Sequence, residues 1–224
     1  GTSVIAGGGF YTQVAGTDDA TGVDVQIGGN LSASAFFSIN VTADNSITVT
    51  GGTGDIIDGG VIVLDRAGNA SDTKQDLDID NTVPTVNSKS VASVKTGGTV
   101  TISGEGFTTG TNEPSKVEIG TLDATNDGND GNDDFSVNWD DLTNSALIVT
   151  AAAGNVTDGQ IKVTDYAGNV STSTVAMHID NTLPTVGSVT GSIATYDIIR
   201  NGTSATIAGT GFTIGANVVN RIQK

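Results

Sequence analysis

The sequence has no cysteine and few aromatic residues, basic residues or prolines. Among 224 residues there are 3 Pro, 4% aromatic residues, and 9 Lys plus Arg against 25 Asp plus Glu. The absence of cysteine excludes disulfides, thiolate metal sites and cysteine-based catalysis. The net charge of −16 disfavours nucleic acid as a partner, because phosphate recognition needs a basic face. An acidic surface instead attracts cations.

Long apolar runs and helical periodicity are also missing. No run approaches the roughly 20 apolar residues of a membrane span, so no span is expected in this segment. The single histidine, His178, would have to serve any Ser-His-Asp triad, although it lies on the last strand of a repeated unit. Acidic pairs are plentiful, but none sits where a deep cleft is expected. We therefore expect a protein without enzymatic activity.

What the sequence does contain is a repeat. Residues 65–86 read DRAGNASDTKQDLDIDNTVPTV, and residues 165–186 read DYAGNVSTSTVAMHIDNTLPTV. Three further segments, TSVIAGGGF (2–10), TVTISGEGF (99–107) and SATIAGTGF (204–212), each join a strand pattern to a glycine turn. Self-similarity at a fixed spacing indicates one folding unit used more than once.

Superposing the repeats predicts three units. Residues 1–83 form a repeat that lacks its first strand, 84–183 a complete repeat, and 184–224 the opening strands of a third. Two explanations fit the incomplete ends. The chain is a piece of a longer array, or its ends complete each other between molecules by adding a strand to an open sheet edge.

The fold class expected is all-β. Glycine-containing turns separate short Val, Ile and Thr runs every 8 to 12 residues, which is typical of a sandwich. Alternating residues of the middle repeat are expected to be buried, with a turn at Asp158-Gly159 before the strand of Ile161 and Val163. About seven antiparallel strands per repeat predict tandem immunoglobulin-like β-sandwiches, joined by Pro-containing linkers. The expected core residues are Val100, Ile102, Val117, Ile119, Phe135, Val137, Leu147, Val149, Ile161, Val163, Met177 and Ile179, and Phe107 and Trp139 are expected in the core or at its edge.

Two runs resemble known families. GGTVTISGEGFTTGTNEPSKVEIG (97–120) resembles the opening of an IPT/TIG immunoglobulin-like domain. VTDYAGNVSTSTVAMHIDNTLPTV (163–186) resembles the end of the bacterial immunoglobulin-like repeats of large surface adhesins and S-layer proteins. The resemblance implies an extracellular, cell-surface, non-enzymatic scaffold built of modules.

The joint between the first two repeats is the first candidate site. Leu77 and Ile79 should face the core, so that Asp76, Asp78 and Asp80 alternate onto the outer face about 6 to 7 Å apart. These carboxylates, with Asn81 after them, repel one another unless a cation lies among them. Ca²⁺ suits them because it accepts six to eight oxygen ligands in loose geometry.

The run DIDNTVP (78–84) also resembles the calcium-stiffened linker of cadherins. That resemblance implies a further ligand at Asp65 of the DRAGN turn. The alternative is that Asp65 builds an Asx turn while the strand carboxylates are solvated. The second joint keeps Asp165, Asp180 and Asn181. There Ala176 stands in place of Asp76 and His178 in place of Asp78, so we expect the second joint to bind Ca²⁺ more weakly or not at all. The prolines stiffen both linkers without any ion.

The second candidate site is the acidic insertion DATNDGNDGNDD (123–134). Asp127, Asp130 and Asp133, separated by Gly and Asn, offer oxygen ligands on tight turns, as calcium-binding loops do. The full EF-hand spacing is absent, so the alternative is a mobile loop. Both sites predict Ca²⁺ as the cofactor.

These features together predict a structural cell-surface protein, an S-layer subunit or adhesin stalk built of calcium-stabilised repeats. Its partners would be neighbouring copies or further repeats of the same protein, with cell-surface polysaccharide a further candidate. The alternative is an accessory module, carbohydrate-binding or spacer, of an extracellular carbohydrate-active enzyme. One Trp in the whole chain argues against a sugar-binding face, which usually exposes two or more aromatic rings.

Overall fold

The computed structural model describes most of the chain, and strands are the regular elements of the described part, which contains no helix. It follows that none of the described residues forms a helix able to cross a membrane. The residues that are not described are 9, 11, 15–16, 20–22, 33, 44, 66, 73–74, 109–111, 128–133, 174, 192–200, 215–216 and 219–224.

The strands follow the repeats of the sequence. Those before Pro84 are β1 (Thr2–Ala6), β2 (Thr12–Val14), β3 (Thr17–Asp19), β4 (Asp24–Ile27), β5 (Asn30–Leu31), β6 (Phe37–Ala43), β7 (Ser46–Gly51), β8 (Ile56–Leu64) and β9 (Gln75–Ile79). Those of the next hundred residues are β10 (Thr85–Lys89), β11 (Ser93–Val94), β12 (Thr99–Glu105), β13 (Lys116–Ile119), β14 (Leu122–Thr125), β15 (Phe135–Val137), β16 (Ala146–Ala151), β17 (Val156–Thr164) and β18 (Ala176–Ile179). The last are β19 (Thr185–Thr190), β20 (Thr206–Thr210), β21 (Thr213–Ile214) and β22 (Asn217–Val218).

The chain forms two compact units. The first comprises Gly1–Thr85 together with Gly106–Ser115 and Thr164–Ser171. The second comprises the remaining segments, which are Val86–Glu105, Lys116–Val163 and Thr172–Lys224. These units divide the chain differently from the repeat boundaries expected at 83 and 183, because two segments of the second repeat belong to the first unit. The repeat boundaries themselves stay a prediction.

Among the described residues, the first unit has two larger sheets and the two-stranded sheet β2-β3. One of the larger sheets has the strand order β1-β7-β6 and the other the order β5-β4-β8-β9, and the register in both is antiparallel. Side chains from both sheets, among them Val25 and Ile27 of β4 and Ile47 and Val49 of β7, form one buried cluster. Alternate residues of β4 and β7 are buried, as the half-buried strand pattern requires.

Among the described residues, the second unit has two larger sheets, in the orders β10-β12-β16-β15 and β11-β18-β17-β13-β14, and the two-stranded sheets β19-β20 and β21-β22. All twelve core residues expected from the sequence of this repeat are buried, Phe107 is buried as well, and Trp139 is half-buried. The all-β prediction is therefore confirmed, whereas an immunoglobulin-like topology of tandem repeats stays a prediction. Nine described strands, β10 to β18, replace the expected seven, because short strands such as β11 and β14 pair at the sheet edges.

The turn expected at Asp158-Gly159 is wrong. β17 runs through these residues from Val156 to Thr164, and its pairing with β18 shifts register between Val156 and Gly159. Asp158 has φ 52°, in the left-handed region that a bulge can impose on one residue. β8 has the same irregularity at Asp58, with φ 48°. The Asp-Gly pair therefore bends a continuous strand and does not reverse the chain.

The glycine after this bulge has no room for a side chain. A Cβ on Gly59 would lie 2.5 Å from Cγ2 of Ile56 and 2.8 Å from Cγ2 of Ile27, both in the core. Gly59→Ala should therefore lower the free energy of unfolding by about 1–3 kcal/mol through overpacking. Gly8→Ala is the matched control, because a Cβ there meets nothing within 4 Å. Urea denaturation measures both, and equal effects would contradict the packing argument.

Candidate functional site

The linker after β9 is held by side chains from a distant turn. The backbone N–H of Asn81 donates to Oδ1 of Asp55 over 2.8 Å, and the Asn81 amide donates to the carbonyl of Gly54 over 3.0 Å. The hydroxyl of Thr82 also donates to Asp55. These bonds hold the pKa of Asp55 below its ordinary value. The bond from the Thr82 hydroxyl lowers the pKa most, and the bond from the Asn81 backbone comes next. We call this arrangement the linker clamp.

The second linker has the same clamp with an amide in place of the carboxylate. The backbone N–H of Asn181 donates to Oδ1 of Asn155 over 2.8 Å, and its side chain donates to the Gly154 carbonyl over 2.7 Å. Nδ2 of Asn155 donates to the hydroxyl of Thr182 over 3.1 Å. The clamp therefore belongs to the repeat and does not depend on a charge.

Sequence reasoning missed the clamp residues. Asp55 and Asn155 are the second residues of the pairs Gly54-Asp55 and Gly154-Asn155, and they lie 26 residues before the asparagines that they hold. Both pairs stand at the same place in the repeat, directly before β8 and β17. This repeated position is the feature of the sequence that could have pointed to the clamp. The neighbouring residues do not indicate that the partner is an asparagine 26 residues later.

Each linker opens with a tight turn of its own. Oδ1 of Asp80 accepts the backbone N–H of Thr82 over 2.8 Å, and Oδ1 of Asp180 accepts that of Thr182 over 2.9 Å. These are Asx turns, which fix a chain direction without a sheet partner. Both predicted metal ligands thus have a structural role in their linker.

Asp78 supports the bulge of β8. Its Oδ1 accepts the backbone N–H of Asp58 over 2.6 Å, and its Oδ2 accepts the side-chain amide of Asn112 over 2.8 Å. In the second repeat, Nδ1 of the buried His178 accepts the backbone N–H of Asp158 over 3.0 Å. The histidine that replaces a carboxylate in the sequence therefore keeps the same hydrogen bond. An acceptor at this position satisfies the N–H group that each bulge leaves out of the ladder.

The two acidic turns of the repeat have the same internal bonds but different surroundings. Asp65 accepts hydrogen bonds from the backbone of Ala67 and from the backbone and side chain of Asn69, at 2.7 to 2.9 Å. The side chain of Asn69 contributes most to lowering the pKa of Asp65. Asp165 accepts the same pair of bonds from Asn169, at 2.8 and 2.9 Å, but is fully buried. The Asx-turn alternative therefore describes the geometry of both turns.

Asp165 is the predicted site residue that the structure brings to the first linker. The Asn169 amide donates both to Oδ2 of Asp165 over 2.9 Å and to the carbonyl of Asp80 over 3.1 Å. Burial raises the pKa of Asp165, the bonds from Asn169 oppose that rise, and the charge of Asp80 adds to it. The hydrogen bonds that Asp65 accepts come instead from its own turn. The first linker thus meets the acidic turn of the second repeat.

The other predicted ligands are spread out. Asp76 is exposed near the start of β9, and Asp127 is exposed just after β14. Asp130 and Asp133 lie outside the described residues. The base of the acidic loop is closed by two bonds between Asp123 and Asp134, with lengths of 3.0 and 3.1 Å.

The described carboxylates do not fit a calcium cage. Within the part of the chain that the structure describes, no group of three Asp, Glu or His side chains is placed to hold a metal ion. Asp78 and Asp165 also use both carboxylate oxygens to accept hydrogen bonds from protein donors. Calcium needs six to eight oxygen ligands, more than the described side chains of the linker bring together. Calcium binding by the chain stays a prediction.

A cavity of about 200 Å³ lies beside the first linker within the first unit. Its lining includes Ser3, Leu77, Asp78, Asp80 and Ala167. Among the described residues that line it, none is aromatic, basic or histidine. The described lining of the cavity therefore offers no ring on which a sugar could stack.

Comparisons with known proteins give no family. No known family model matches this chain, and no curated protein matches it. Among solved structures it is similar to SGBP-B from a complex xyloglucan utilization locus in Bacteroides uniformis. It is also similar to SGBP-B of the Bacteroides ovatus mixed-linkage glucan utilization locus, which is in complex with a mixed-linkage heptasaccharide.

Both likenesses are distant. Each structure is 15% identical to this chain, with TM-scores of 0.32 and 0.29. The matches cover 76% and 84% of this chain but 43% and 44% of the two proteins, so the chain spans less than half of their length. A likeness at this level carries no argument about activity, since even a shared fold does not imply a shared function.

The two acidic turns should respond to pH with opposite signs. The raised pKa of Asp165 means that its contribution to the free energy of unfolding falls as pH rises from about 3.8 through that pKa. The lowered pKa of Asp65 means that its contribution is present above 3.8 and is lost as pH falls through that pKa. Relative to the wild type, the deficit of Asp165→Asn should therefore shrink as pH rises, and that of Asp65→Asn should grow.

Urea denaturation from about pH 3 to about pH 7 measures both slopes. The two residues belong to the same compact unit, so each variant is the control of the other. Slopes of the same sign would contradict the assignment of Asp165 as a buried carboxyl and of Asp65 as a solvated one.

Proposed function

We propose that this chain is a non-catalytic spacer of an extracellular, cell-surface protein, in which repeats are joined by linkers held in a fixed conformation. The observation that carries the proposal is the linker clamp, which occurs in both linkers with the same backbone and side-chain bonds. Without the clamp, the polar backbone groups of the linker would be bonded to water and the chain would move freely.

Three further features support a spacer. The prolines of both linkers fix φ and restrict the preceding residue to extended conformations. A high negative charge keeps a long surface protein soluble and limits non-specific association. The carbonyl of Asp80 in the first linker also accepts a hydrogen bond from the Asn169 amide. The acidic turn of the second repeat therefore adds one hydrogen bond to those of the clamp.

This role is compatible with each of the cell-surface contexts predicted from the sequence. An S-layer subunit or an adhesin stalk would use the spacer to span distance, with further repeats or neighbouring copies as its partners. An accessory segment of a carbohydrate-active enzyme would use the same linkers to hold other domains apart. In all three contexts the linker must resist bending, which is a measurable property.

Native-state proteolysis tests the clamp. Val83 is 46% exposed and Leu183 is 83% exposed, so a protease of broad specificity can cleave either linker once its backbone opens. Asp55→Ala removes two hydrogen bonds from the first linker, those donated by the Asn81 backbone and the Thr82 hydroxyl. Because each tenfold change in opening corresponds to about 1.4 kcal/mol, cleavage before Val83 should rise at least about tenfold.

The second linker is the control in the same molecule. Asp55→Ala should leave cleavage before Leu183 unchanged, while Asn155→Ala should raise it and spare Val83. Mass spectrometry of the fragments assigns each cut. If neither variant changes cleavage at its own linker, the linkers are not held by the clamp and the spacer proposal fails.

Calcium binding by the acidic loop is a separate proposal. A bound ion should raise the free energy of unfolding by RT ln(1 + [Ca²⁺]/Kd), about 2.7 kcal/mol at a hundredfold excess over Kd. Asp127→Ala should lose this calcium-dependent gain. Asp78→Ala should keep the gain but be less stable at every calcium concentration, because it frees the bulge N–H of Asp58.

Thermal melts with a chelator and with added calcium measure these effects. An unchanged melting temperature of the wild type would end the calcium proposal. Loss of the calcium-dependent gain in Asp78→Ala, with retention in Asp127→Ala, would move the site from the loop to the joint.

A glycan-binding accessory module is the second candidate. The specific observation in its favour is Tyr166, which is 66% exposed on the DYAGN turn. It is the one exposed aromatic side chain among the residues whose burial the structure describes, and Trp139 is half-buried. A single ring offers less stacking surface than a sugar platform needs.

Affinity electrophoresis distinguishes this candidate. Xyloglucan and mixed-linkage glucan are the polysaccharides to try first, because the compared proteins come from loci for their utilization. A spacer should migrate unretarded in both gels, with Tyr166→Ala behaving as the wild type. Retardation that Tyr166→Ala abolishes would replace the spacer by the accessory-module function.

A further inference from the structure

β6 forms one edge of its sheet in the first unit. It runs from Phe37 to Ala43 and pairs with β7 on one side, and no described strand pairs with it on the other. Residues 34–43 are described without a gap. The free side of β6 therefore presents a row of backbone donors and acceptors to which another strand can add.

The backbone groups on this free side belong to alternate residues. The N–H of Gly52 donates to the carbonyl of Phe36 over 2.6 Å, just before β6 begins. Antiparallel strands exchange hydrogen bonds at every second residue, so Ser38 and Asn40 also bond to β7, where they pair with Thr50 and Thr48. The N–H and C=O groups on the free side are therefore those of the residues next to them, which are Phe37, Ile39 and Val41.

The equivalent edge of the second unit is short and acidic. β15 pairs with β16 as β6 pairs with β7, and it is the edge strand of its sheet. It has 3 residues, from Phe135 to Val137, where β6 has 7. Asp134 directly precedes β15, and Asp140 and Asp141 follow it closely. Short edge strands and charged residues both discourage pairing with another chain.

β6 has neither form of protection. No charged residue and no proline occurs from Leu31 to Ala43, although the chain has a net charge of −16. The side chains that β6 directs to the outer face of the sheet are exposed and uncharged, and they are Ser38, Asn40 and Thr42. A charged segment would find no opposite charge on this strand. The edge therefore favours an uncharged strand as its partner, and β6 of a second copy is such a strand.

We propose that β6 pairs with β6 of a second copy of this chain, in an antiparallel ladder about a two-fold axis. Ile39 of one copy lies opposite Ile39 of the other, and Phe37 lies opposite Val41. In this register every outward N–H and C=O group of these residues has a partner. The ladder also stays within Phe37–Val41, before the shift in pairing with β7 between Val41 and Ala43.

The side chains fit the same register. Ser38 of one copy lies opposite Asn40 of the other, at a position without backbone bonds, where side chains across the ladder come close. The hydroxyl and the amide can then form a hydrogen bond. Ile39 and Val41 already pack against the core of their own unit. The ladder therefore extends each sheet without moving a core residue.

The contact uses the same surface of both copies. Such an isologous contact closes in a pair, so the dimer should be the largest species that it forms. Since each copy carries a net charge of −16, repulsion opposes the contact, and added salt should strengthen it. The proposal does not depend on the spacer function, because the linkers take no part in the ladder.

Disulfide trapping tests the register, and the absence of native cysteine makes the result simple to interpret. Ser38→Cys and Asn40→Cys are prepared as separate full-length variants, mixed in equal amounts and exposed to a mild oxidant. Their Cα atoms would lie about 4.5 Å apart across the ladder, within the range of a disulfide. The mixture should therefore form several times more disulfide-linked dimer than either variant alone.

Thr50→Cys replaces Asn40→Cys in the control mixture. Thr50 is also exposed and lies directly beside Ser38 on the same face of the sheet, but it belongs to β7 and not to the edge strand. A yield of dimer no higher than in this control would overturn the proposal. So would trapping by Asn40→Cys alone that equals the trapping in the mixture, because the strands would then pair around Asn40.

Sedimentation velocity over a range of concentration and salt completes the experiment. The wild type should form a dimer, and the double variant Ser38→Asp with Asn40→Asp should weaken it at least about tenfold, because like charges then lie opposite each other. Thr50→Asp with Thr53→Asp adds the same charge at exposed positions away from the edge and should weaken the dimer far less. A wild type that is monomeric at every concentration, or an equal effect of the two double variants, would overturn the proposal.

Discussion

The structure depends on how backbone groups outside the sheets find partners. A strand satisfies its N–H and C=O groups with its neighbours, but the linker residues have no neighbouring strand. Asp55 and Asn155 supply the missing acceptor for the linker backbone, and the carbonyls of Gly54 and Gly154 accept the linker amides. The linker conformation is therefore set by a side chain 26 residues away rather than by local propensity.

The acidic residues have structural roles where they are most concentrated. Asp78 accepts the N–H of a bulge, Asp80 closes an Asx turn, and Asp165 holds a turn together although burial opposes its charge. In the next repeat, the amide of Asn155 accepts the hydrogen bond of the clamp and the imidazole of His178 accepts the hydrogen bond of the bulge. Hydrogen-bond acceptance is therefore the property that these positions share, and negative charge is one way to provide it.

The sequence predicts the sheets better than the site, for a physical reason. Alternation of apolar residues depends on nearest neighbours, so the buried faces of β12, β13, β16 and β17 could be read directly. The bulge at Asp158 could not be predicted, because the pair Asp-Gly suits both a turn and a positive φ within a strand. The pairing of β17 with β18 decides between these two conformations. The meeting of Asp80 with Asn169 joins residues 89 positions apart, and no local pattern encodes such a distance.

The same residue type in the same place of the repeat can be buried or exposed, and this sets what each copy of the repeat contributes. Val86 and Ile102 are buried, while Val186 is 63% exposed in an equivalent strand. Fully burying a side chain of this size stabilises a fold by about 1.5–3 kcal/mol relative to leaving it exposed. The repeat thus gains its stability from strands that cover one another.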